Sequence, residues 1–173
     1  DLAGRLNEWP LLLALVNGLL RGCLKPGDPL NCESLLDAVR VIGRLLDRSG
    51  LEEYWLVTDP AARERAHNAV ITACLEPLVD EVRECLFELA VFPRFEEIPL
   101  QAVAVLWGKD EVATRAVCEL LAERALVSYT AATGMIHLHP VIHDYIIEHL
   151  RAGVLVDLHT RISEGYASRC QEK

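Results

Sequence analysis

The chain has 173 residues, which is enough for one large domain or two small ones. Its apolar fraction of 51% and the lack of any low-complexity tract exclude an intrinsically disordered chain. The 26 acidic side chains against 17 Lys and Arg give a formal net charge of -9, and this field argues against a general nucleic-acid binder because it repels phosphate backbones.

Helix-forming residues dominate the chain and β-branched clusters are few, so we expect a mainly α fold. The first predicted helix covers residues 9–21, because Pro10 suits a first turn and the residues after it are apolar on nearly every face. The second predicted helix covers residues 32–47 and closes at Gly50. Its expected inward stripe is Leu35, Leu36, Val39, Ile42, Leu45 and Leu46.

A loop that carries Trp55 separates this helix from a third one. Asp59 supplies the N-cap of the third helix and Pro60 its first turn. The composition changes near Pro77, so residues 1–79 are predicted to form a small helical domain. The expected inward face of the third helix is Ala62, Ala66, Ala69, Val70, Ala73 and Cys74.

The pattern of the following residues predicts three more helices. They cover residues 82–90, 100–107 and 111–124, and Asp110 is the predicted N-cap of the last. Residues in the last helix are expected to face inward at a helical period: Val112, Ala116, Val117, Leu120 and Leu121.

Two β-rich segments, residues 126–130 and 135–138, flank a turn that contains Gly134 and predict a hairpin. The pattern returns to helix over residues 140–150. One side of this helix is expected to pack: Val141, Ile142, Tyr145, Ile146 and His149.

Three helices followed by a hairpin is the winged-helix plan, a relative of the helix-turn-helix. We therefore expect a mainly α chain with a small helical domain, then a winged-helix domain with a short β-hairpin over residues 80–150. A last predicted helix over residues 154–168 would begin a further helical segment, residues 151–173. Because the chain begins at Asp1 without an initiator methionine, we expect it to be a fragment of a longer protein.

The six cysteines are scattered and contain no Cys-x-x-Cys pair. Several, such as Cys74 and Cys118, stand among apolar residues at helical spacing. Buried, reduced thiols of a cytoplasmic protein are therefore preferred over a disulfide framework or a zinc site. The longest apolar run, residues 10–16, is too short to span a membrane, and no signal peptide is recognisable.

No catalytic motif stands out in the sequence. The phosphate-binding pattern Gly-x-x-x-x-Gly-Lys-Ser/Thr is absent, as are His-Glu-x-x-His and Gly-x-Ser-x-Gly, so the chain by itself is not expected to be an enzyme. The acidic pairs at residues 52–53 and 96–97 could serve as general acid and base, but a solvated surface is the better interpretation. Residues 108–110, Gly-Lys-Asp, resemble a phosphate loop only superficially and fit a turn capped by Asp110.

The histidines at positions 137, 139 and 143 raise the question of a metal site. His139 and His143 are four residues apart, a spacing at which two ligands on one helix share a face. Pro140 places His139 at or before the helix start, however, and this removes that geometry. Since no third ligand lies at a suitable spacing, we expect no metal.

Two groups of residues resemble a known family when they are taken together. The first is the run LNEWPLLLAL at residues 6–15. The second is a series of landmarks: CLFELAVFP at 85–93, IP at 98–99, LWG at 106–108, LLAERALV at 120–127 and LHPVIHDY at 138–145. Over about residues 5–150 the chain resembles the NB-ARC family of signal-transduction ATPases, the class that contains the apoptotic protease activating factor and plant disease-resistance proteins.

This resemblance implies a nucleotide site that the chain shares with a P-loop domain upstream. Pro10 matches the family's proline that contacts the adenine of ADP, and His139 matches the histidine of its Met-His-Asp motif, which lies against the phosphates. ADP or ATP would bind to the parent protein and not tightly to this chain alone. The sequence departs from the family at Glu8 and Trp9, which replace Gly and Leu, and at Pro140, which replaces the aspartate of the motif.

The leading hypothesis is thus a regulatory, autoinhibitory module that switches a signalling ATPase between a closed ADP state and an open, assembly-competent state. Its expected partners are the upstream ATPase domain, a downstream sensor domain and other copies of the parent on activation, with neither nucleic acid nor a membrane among them. One alternative is a DNA-binding winged helix, although residues 81–150 hold 11 acidic and only 5 basic side chains. Another is a helical scaffold that binds a protein through a patch around Trp55 or Trp107.

Overall fold

The computed structural model describes residues 9–26, 30, 32–48 and 60–171. Within these residues the protein is mainly helical and carries a small three-stranded antiparallel sheet, so the expected α-rich class is confirmed. The predictions for Gly50, the Trp55 loop, the Asp59 cap and the acidic pair at 52–53 lie outside the described residues, as does the side chain of Ala62.

The protein divides into two compact units. The first contains the residues up to Val79 together with the tripeptide Glu123–Ala125, and the second contains Asp80–Ala122 and the residues from Leu126 onward. The last helix, which the sequence assigned to a further segment, is grouped with the second unit. Among the described helices, none has both the length and the apolar character that crossing a bilayer requires.

The first unit contains three helices: α1 (Pro10–Cys23), α2 (Leu35–Arg48) and α3 (Pro60–Leu75). Pro10 occupies the first turn of α1, where its missing N–H removes no helical hydrogen bond. The side chain of Ser34 accepts a hydrogen bond from the Asp37 backbone N–H at 3.2 Å and so marks the start of α2. The core of the unit is aliphatic and includes Leu12, Leu15, Leu19, Ile42, Leu46 and Ile71.

Leu35 and Leu36 correct the predicted inward stripe of α2. They are 61% and 60% exposed, and burial begins one turn later, at Ala38. Periodicity marks a face of a helix but not how far along that face the neighbouring helices reach. The expected inward face of α3 is confirmed where it is described, because its side chains from Ala66 to Cys74 are buried at the predicted positions.

Two glycines of α1 give Arg124 room in the first unit. A Cβ atom at Gly18 would lie 2.5 Å from the backbone oxygen of Arg124 and 2.8 Å from its Cα, while one at Gly22 would lie 2.6 Å from its Cζ. Arg124 is only 6% exposed, and the adjacent Glu123 forms an ion pair with Lys25 at 2.5 Å. The backbone of the tripeptide Glu123–Ala125 therefore packs directly against α1 at Gly18.

The second unit alternates helices with short strands. It begins with α4 (Asp80–Glu88), which passes into a 3-10 turn (Leu89–Val91), so the helix ends two residues before the predicted boundary. The remaining elements are β1 (Glu97–Pro99), α5 (Leu100–Trp107), α6 (Glu111–Glu123), β2 (Val127–Thr130), β3 (Met135–Leu138), α7 (Pro140–His149) and α8 (Val154–Gln171).

The sheet has the order β1-β3-β2, with β3 antiparallel to both neighbours. The predicted hairpin is confirmed as β2 and β3, whose register places Tyr129 opposite Ile136. Strand β1 is an element that the sequence did not predict, and its Ile98 pairs with Ile136 from the other side of β3. Three residues carry no strand pattern of their own, and only the pairing with β3 makes them a strand.

Helix α6 packs on a face that matches the predicted one only in part: of the five residues expected to face inward, Leu121 is buried and Val117 and Leu120 are half-buried. Thr114, Cys118 and Leu121 are buried, whereas Val112 is 80% exposed and Ala116 is exposed as well. Thr114 tolerates burial because its hydroxyl donates to the backbone oxygen of Asp110 at 2.7 Å. The predicted N-cap is confirmed, since the Ala113 N–H donates to the Asp110 carboxylate at 2.7 Å.

Helix α8 approaches α5 closely within the second unit. A Cβ atom at Gly165 would collide with the Val105 side chain, so only glycine permits this distance. Arg161 of α8 forms an ion pair with Glu88 at 2.5 Å and also donates to the Leu106 backbone oxygen at 3.3 Å. These contacts join α8 to both α4 and α5.

Candidate functional site

His139 lies immediately before α7 and caps it. The backbone of His139 is extended, with φ -62° and ψ 135°, and its Nδ1 accepts a hydrogen bond from the Val141 N–H at 3.2 Å. Pro140 is the first residue of the helix, where it fits because the N–H that it lacks would have no helical acceptor. An imidazole thus serves as the N-cap that Ser, Thr, Asp or Asn usually supplies.

This capping bond determines which nitrogen of His139 carries the proton. A nitrogen that accepts from a backbone N–H must be unprotonated, so in the neutral ring the proton lies on Nε2. Partial burial lowers the pKa of His139, and the neighbouring His137 lowers it further. Near pH 7 the exposed His139 is therefore a neutral ring whose Nε2–H donates hydrogen bonds.

His143 is buried on the same helix and serves the packing. Its Nε2 lies 3.1 Å from the backbone oxygen of Phe92, which can only accept, so this nitrogen must donate. The other ring nitrogen, Nδ1, is buried without a hydrogen bond and lies 3.8 Å from the Asp144 carboxylate. His143 thereby fastens α7 to the segment that follows the 3-10 turn.

Asp144 supplies a carboxylate on α7, one helical turn after Pro140. It pairs with Arg94 at 2.8 Å, and both side chains are about half exposed. The Arg94 guanidinium also lies 5.3 Å from the centroid of the Phe95 ring. Phe95 is 71% exposed and has a positive φ of 67°, a conformation that is strained for a bulky residue. The sequence drew attention to neither Arg94 nor Phe95, because neither belongs to a local motif.

The three histidines of the 137–143 segment play separate parts. His137 lies in β3 opposite Ser128, while His139 caps α7 and His143 points into the packing. Over the described ranges, no three His, Cys, Asp or Glu side chains are placed to hold a metal ion. His149, expected on the packed side of α7, is exposed instead, and its ring stacks on Tyr145 with centroids 4.1 Å apart.

Pro10, the other predicted site residue, is exposed at the first turn of α1. The Trp9 ring beside it lies 5.1 Å from the His67 ring of α3 at an interplanar angle of 40°. Pro10 belongs to the first unit and His139 to the second, so neither unit contains both residues. Pro10 is the first residue of α1, and His139 is the N-cap of α7.

The turn at residues 108–110 is a helix end followed by a cap, as predicted. Gly108 has a left-handed φ of 62° and closes α5, and Lys109 pairs with Glu81 at 2.5 Å. This pairing lowers the pKa of the Glu81 carboxyl. The lysine is thus turned to a carboxylate of α4, and Asp110 caps α6.

The cysteines confirm the expectation of buried thiols wherever their side chains are described. Cys23, Cys32, Cys74, Cys85 and Cys118 are all buried as thiols. Burial raises the pKa of Cys74 and of Cys118 to about 12, so both stay protonated and unreactive at neutral pH.

No protein-family model matches the chain, and no curated protein matches it either.

Proposed function

We propose that the chain is the nucleotide-sensing, autoinhibitory part of a signal-transduction ATPase, with a helical domain followed by a winged-helix domain. The observation that carries this proposal is the His139 ring, which caps α7 in a defined tautomer and keeps Nε2–H as an exposed donor. The resemblance of residues 5–150 to the NB-ARC family assigns that donor a ligand, a phosphate group of ADP. The sequence has no P-loop of its own, so the ATPase domain would lie upstream and the chain itself would not be an enzyme.

The second unit has the element order that a winged helix requires. Helix α4 is followed by β1, then by α5 and α6, then by the β2–β3 hairpin. The sheet order β1-β3-β2 puts the last strand between the other two, which supports the same plan. Helix α7 follows the sheet directly, so the hairpin positions His139 one residue after β3.

The electrostatics at the start of α7 suit a phosphate oxygen. The dipole of α7 gives its N-terminus a partial positive charge, and the exposed His139 adds an Nε2–H donor at this end of the helix. A neutral histidine binds a phosphate as a hydrogen-bond donor without needing to be protonated. Loss or rearrangement of the phosphates would remove this contact, and the closed state would lose that part of its stability.

Pro10 would contact the adenine, in line with the resemblance. The exposed proline ring at the first turn of α1 offers an apolar surface, and the neighbouring Trp9 replaces the family's leucine with a larger side chain. The aspartate that Pro140 replaces would have its structural role taken by two contacts of α7, the His139 cap and the Asp144–Arg94 pair. Five buried cysteines that remain thiols support a reducing compartment such as the cytoplasm.

The DNA-binding alternative receives little support from the candidate recognition helix. Arg115, at the start of the second turn of α6, is paired with Glu111 at 2.8 Å, and Glu119 is exposed on the same helix. The hairpin tip, residues 131–134, consists of alanine, threonine and glycine, so it offers no cation to a phosphate. The scaffold alternative rested partly on Trp107, whose indole N–H donates inward to the Cys85 backbone oxygen at 3.1 Å.

The test is nucleotide retention in a parent protein that includes an upstream ATPase domain, about 150–200 residues long. The purified protein is denatured and its released nucleotide is quantified. We expect about one ADP per chain in the wild type, and faster exchange or loss of ADP in His139→Ala. His139→Asn should also lose ADP, although asparagine still caps the helix, because its shorter amide does not place a donor at the Nε2 position.

His137→Ala is the matched control, since it removes a neighbouring imidazole that is not assigned to the phosphate. A wild type that carries no nucleotide at stoichiometric sensitivity would refute the switch and favour a protein-binding scaffold. If His139→Asn retains ADP normally and His139→Ala loses it, then His139 acts only as a helix cap and does not contact the phosphate.

A further inference from the structure

A cleft on the second unit remains outside the proposed nucleotide contacts. It has a volume of about 380 Å³ and lies between α4 and the connection from α7 to α8. This volume is at the lower end of the range for small-molecule pockets, about 300–1,000 Å³. Phe87, Leu150 and Val154 give the cleft an apolar part.

Charged groups of both signs line the same cleft. Two of them are already satisfied within the unit, because Arg83 pairs with Asp80 and Glu88 pairs with Arg161. Glu84 and Arg151 also line the cleft, and both are exposed. In the part of the chain that the structure describes, no ion pair neutralises either of them. The cleft therefore offers one carboxylate and one guanidinium to a ligand.

His149 adds a hydrogen-bond acceptor to this lining. Its Nδ1 lies 2.7 Å from the backbone oxygen of Tyr145, which can only accept, so Nδ1 carries the proton of the neutral ring. The Nε2 atom is then the acceptor. Stacking on Tyr145 holds the ring in this orientation, with 24° between the two planes.

We propose that this cleft binds a zwitterion of amino-acid size with an apolar side chain. Its ammonium group would face Glu84 and the His149 Nε2, both of which accept hydrogen bonds. Its carboxylate would face the Arg151 guanidinium, which donates in a planar fork that matches a carboxylate. Its side chain would cover Phe87, Leu150 and Val154. The opposite charges of Glu84 and Arg151 select such a ligand over a simple anion or cation. This inference does not depend on the proposed nucleotide switch.

The probe is L-phenylalanine, titrated into the 173-residue chain and followed by the backbone amide signals of Phe87 and Leu150 in heteronuclear NMR. We expect a saturable shift with a Kd on the order of 0.1–1 mM, as the size of the ligand allows. Two analogues distinguish the contribution of each charged group to binding: 3-phenylpropanoate lacks the ammonium group, and phenethylamine lacks the carboxylate. Each should bind about tenfold more weakly than the amino acid.

Two substitutions assign the contacts. Glu84→Gln should weaken L-phenylalanine about tenfold and leave 3-phenylpropanoate unchanged, whereas Arg151→Gln should weaken L-phenylalanine and leave phenethylamine unchanged. Glu119→Gln, an exposed carboxylate on α6, is the control and should change nothing. The proposal is overturned if no saturable shift occurs up to about 10 mM, if an analogue binds as well as the amino acid, or if neither substitution weakens binding.

Discussion

The buried ring of His143 donates from Nε2 to the backbone oxygen of Phe92 across 3.1 Å. This bond joins α7 to the segment between the 3-10 turn and β1, elements that lie some fifty residues apart in sequence. The ring has little room for solvent, since His143 is only 9% exposed. It is therefore a structural histidine, four residues after the exposed His139.

His143→Ala is expected to destabilise the second unit by about 2–4 kcal/mol, because it removes the bond to Phe92 and leaves a cavity. His137→Ala, at a half-buried position in β3, should have a smaller effect. Urea unfolding followed by Trp107 fluorescence measures both, in a background where Trp9 and Trp55 are phenylalanine. Equal midpoints for His143→Ala and its parent would contradict the structural role.

The pKa of His139 is expected to fall below the ordinary histidine value of about 6.5, since burial and His137 both disfavour its charged form. The folded chain then binds this proton less readily than the unfolded chain. His139 thus lowers stability as the pH drops through about 6.5 and has no such effect above it. Proton NMR titration of the imidazole measures the pKa, and His137→Ala should raise it. A pKa above 7 would contradict the assigned neutral donor.

Gly18→Ala is expected to destabilise the first unit by about 1–3 kcal/mol, because the new methyl group would meet the backbone of Arg124, which cannot move independently. Gly22→Ala meets the flexible end of the same side chain and should cost less. The melting temperatures of the two variants can be compared directly, since both carry the same Gly→Ala substitution in the same helix. A larger loss for Gly22→Ala would show that the guanidinium is the more rigid neighbour.

Ala125→Gly is expected to stabilise the chain by about 0.5–1 kcal/mol. Ala125 has a φ of 57°, a left-handed conformation that glycine adopts without strain, and this gain exceeds the entropy that glycine loses on folding. Ala116→Gly, inside α6, should instead lower stability by about 1 kcal/mol. Denaturant midpoints decide the matter, and a stability loss in Ala125→Gly would rule out strain at this position.

Alkylation of Cys74 and Cys118 at pH 8 is expected to require unfolding, because burial raises both pKa values to about 12. In the unfolded chain a thiol ionises near pH 8.5, so these two groups also make the fold less stable as the pH rises above that value. Mass spectrometry after a pulse of iodoacetamide, with and without urea, gives the labelling at each cysteine. Rapid labelling of the native chain would contradict their burial.

The sequence was most informative where a local signal sets an element's boundary. The helix at residues 100–107 begins after Pro99 and stops at Gly108, and Asp110 caps the next one, as the turn chemistry predicts. The start of α7 at Pro140 was likewise readable, and with it the position of His139 before the helix. In each case the deciding atoms lie within four residues of one another.

Tertiary structure decided everything that depends on a distant neighbour. Strand β1 exists because β3 pairs with it. In α6, Thr114 is buried and Val112 is exposed to solvent, because the neighbouring elements determine which face of the helix is covered and hydrophobicity alone does not. The tautomer of His139 follows from a local bond, but its lowered pKa follows from burial and from His137. Short-range hydrogen bonds are encoded in adjacent residues, whereas desolvation and packing depend on what the rest of the chain brings into contact.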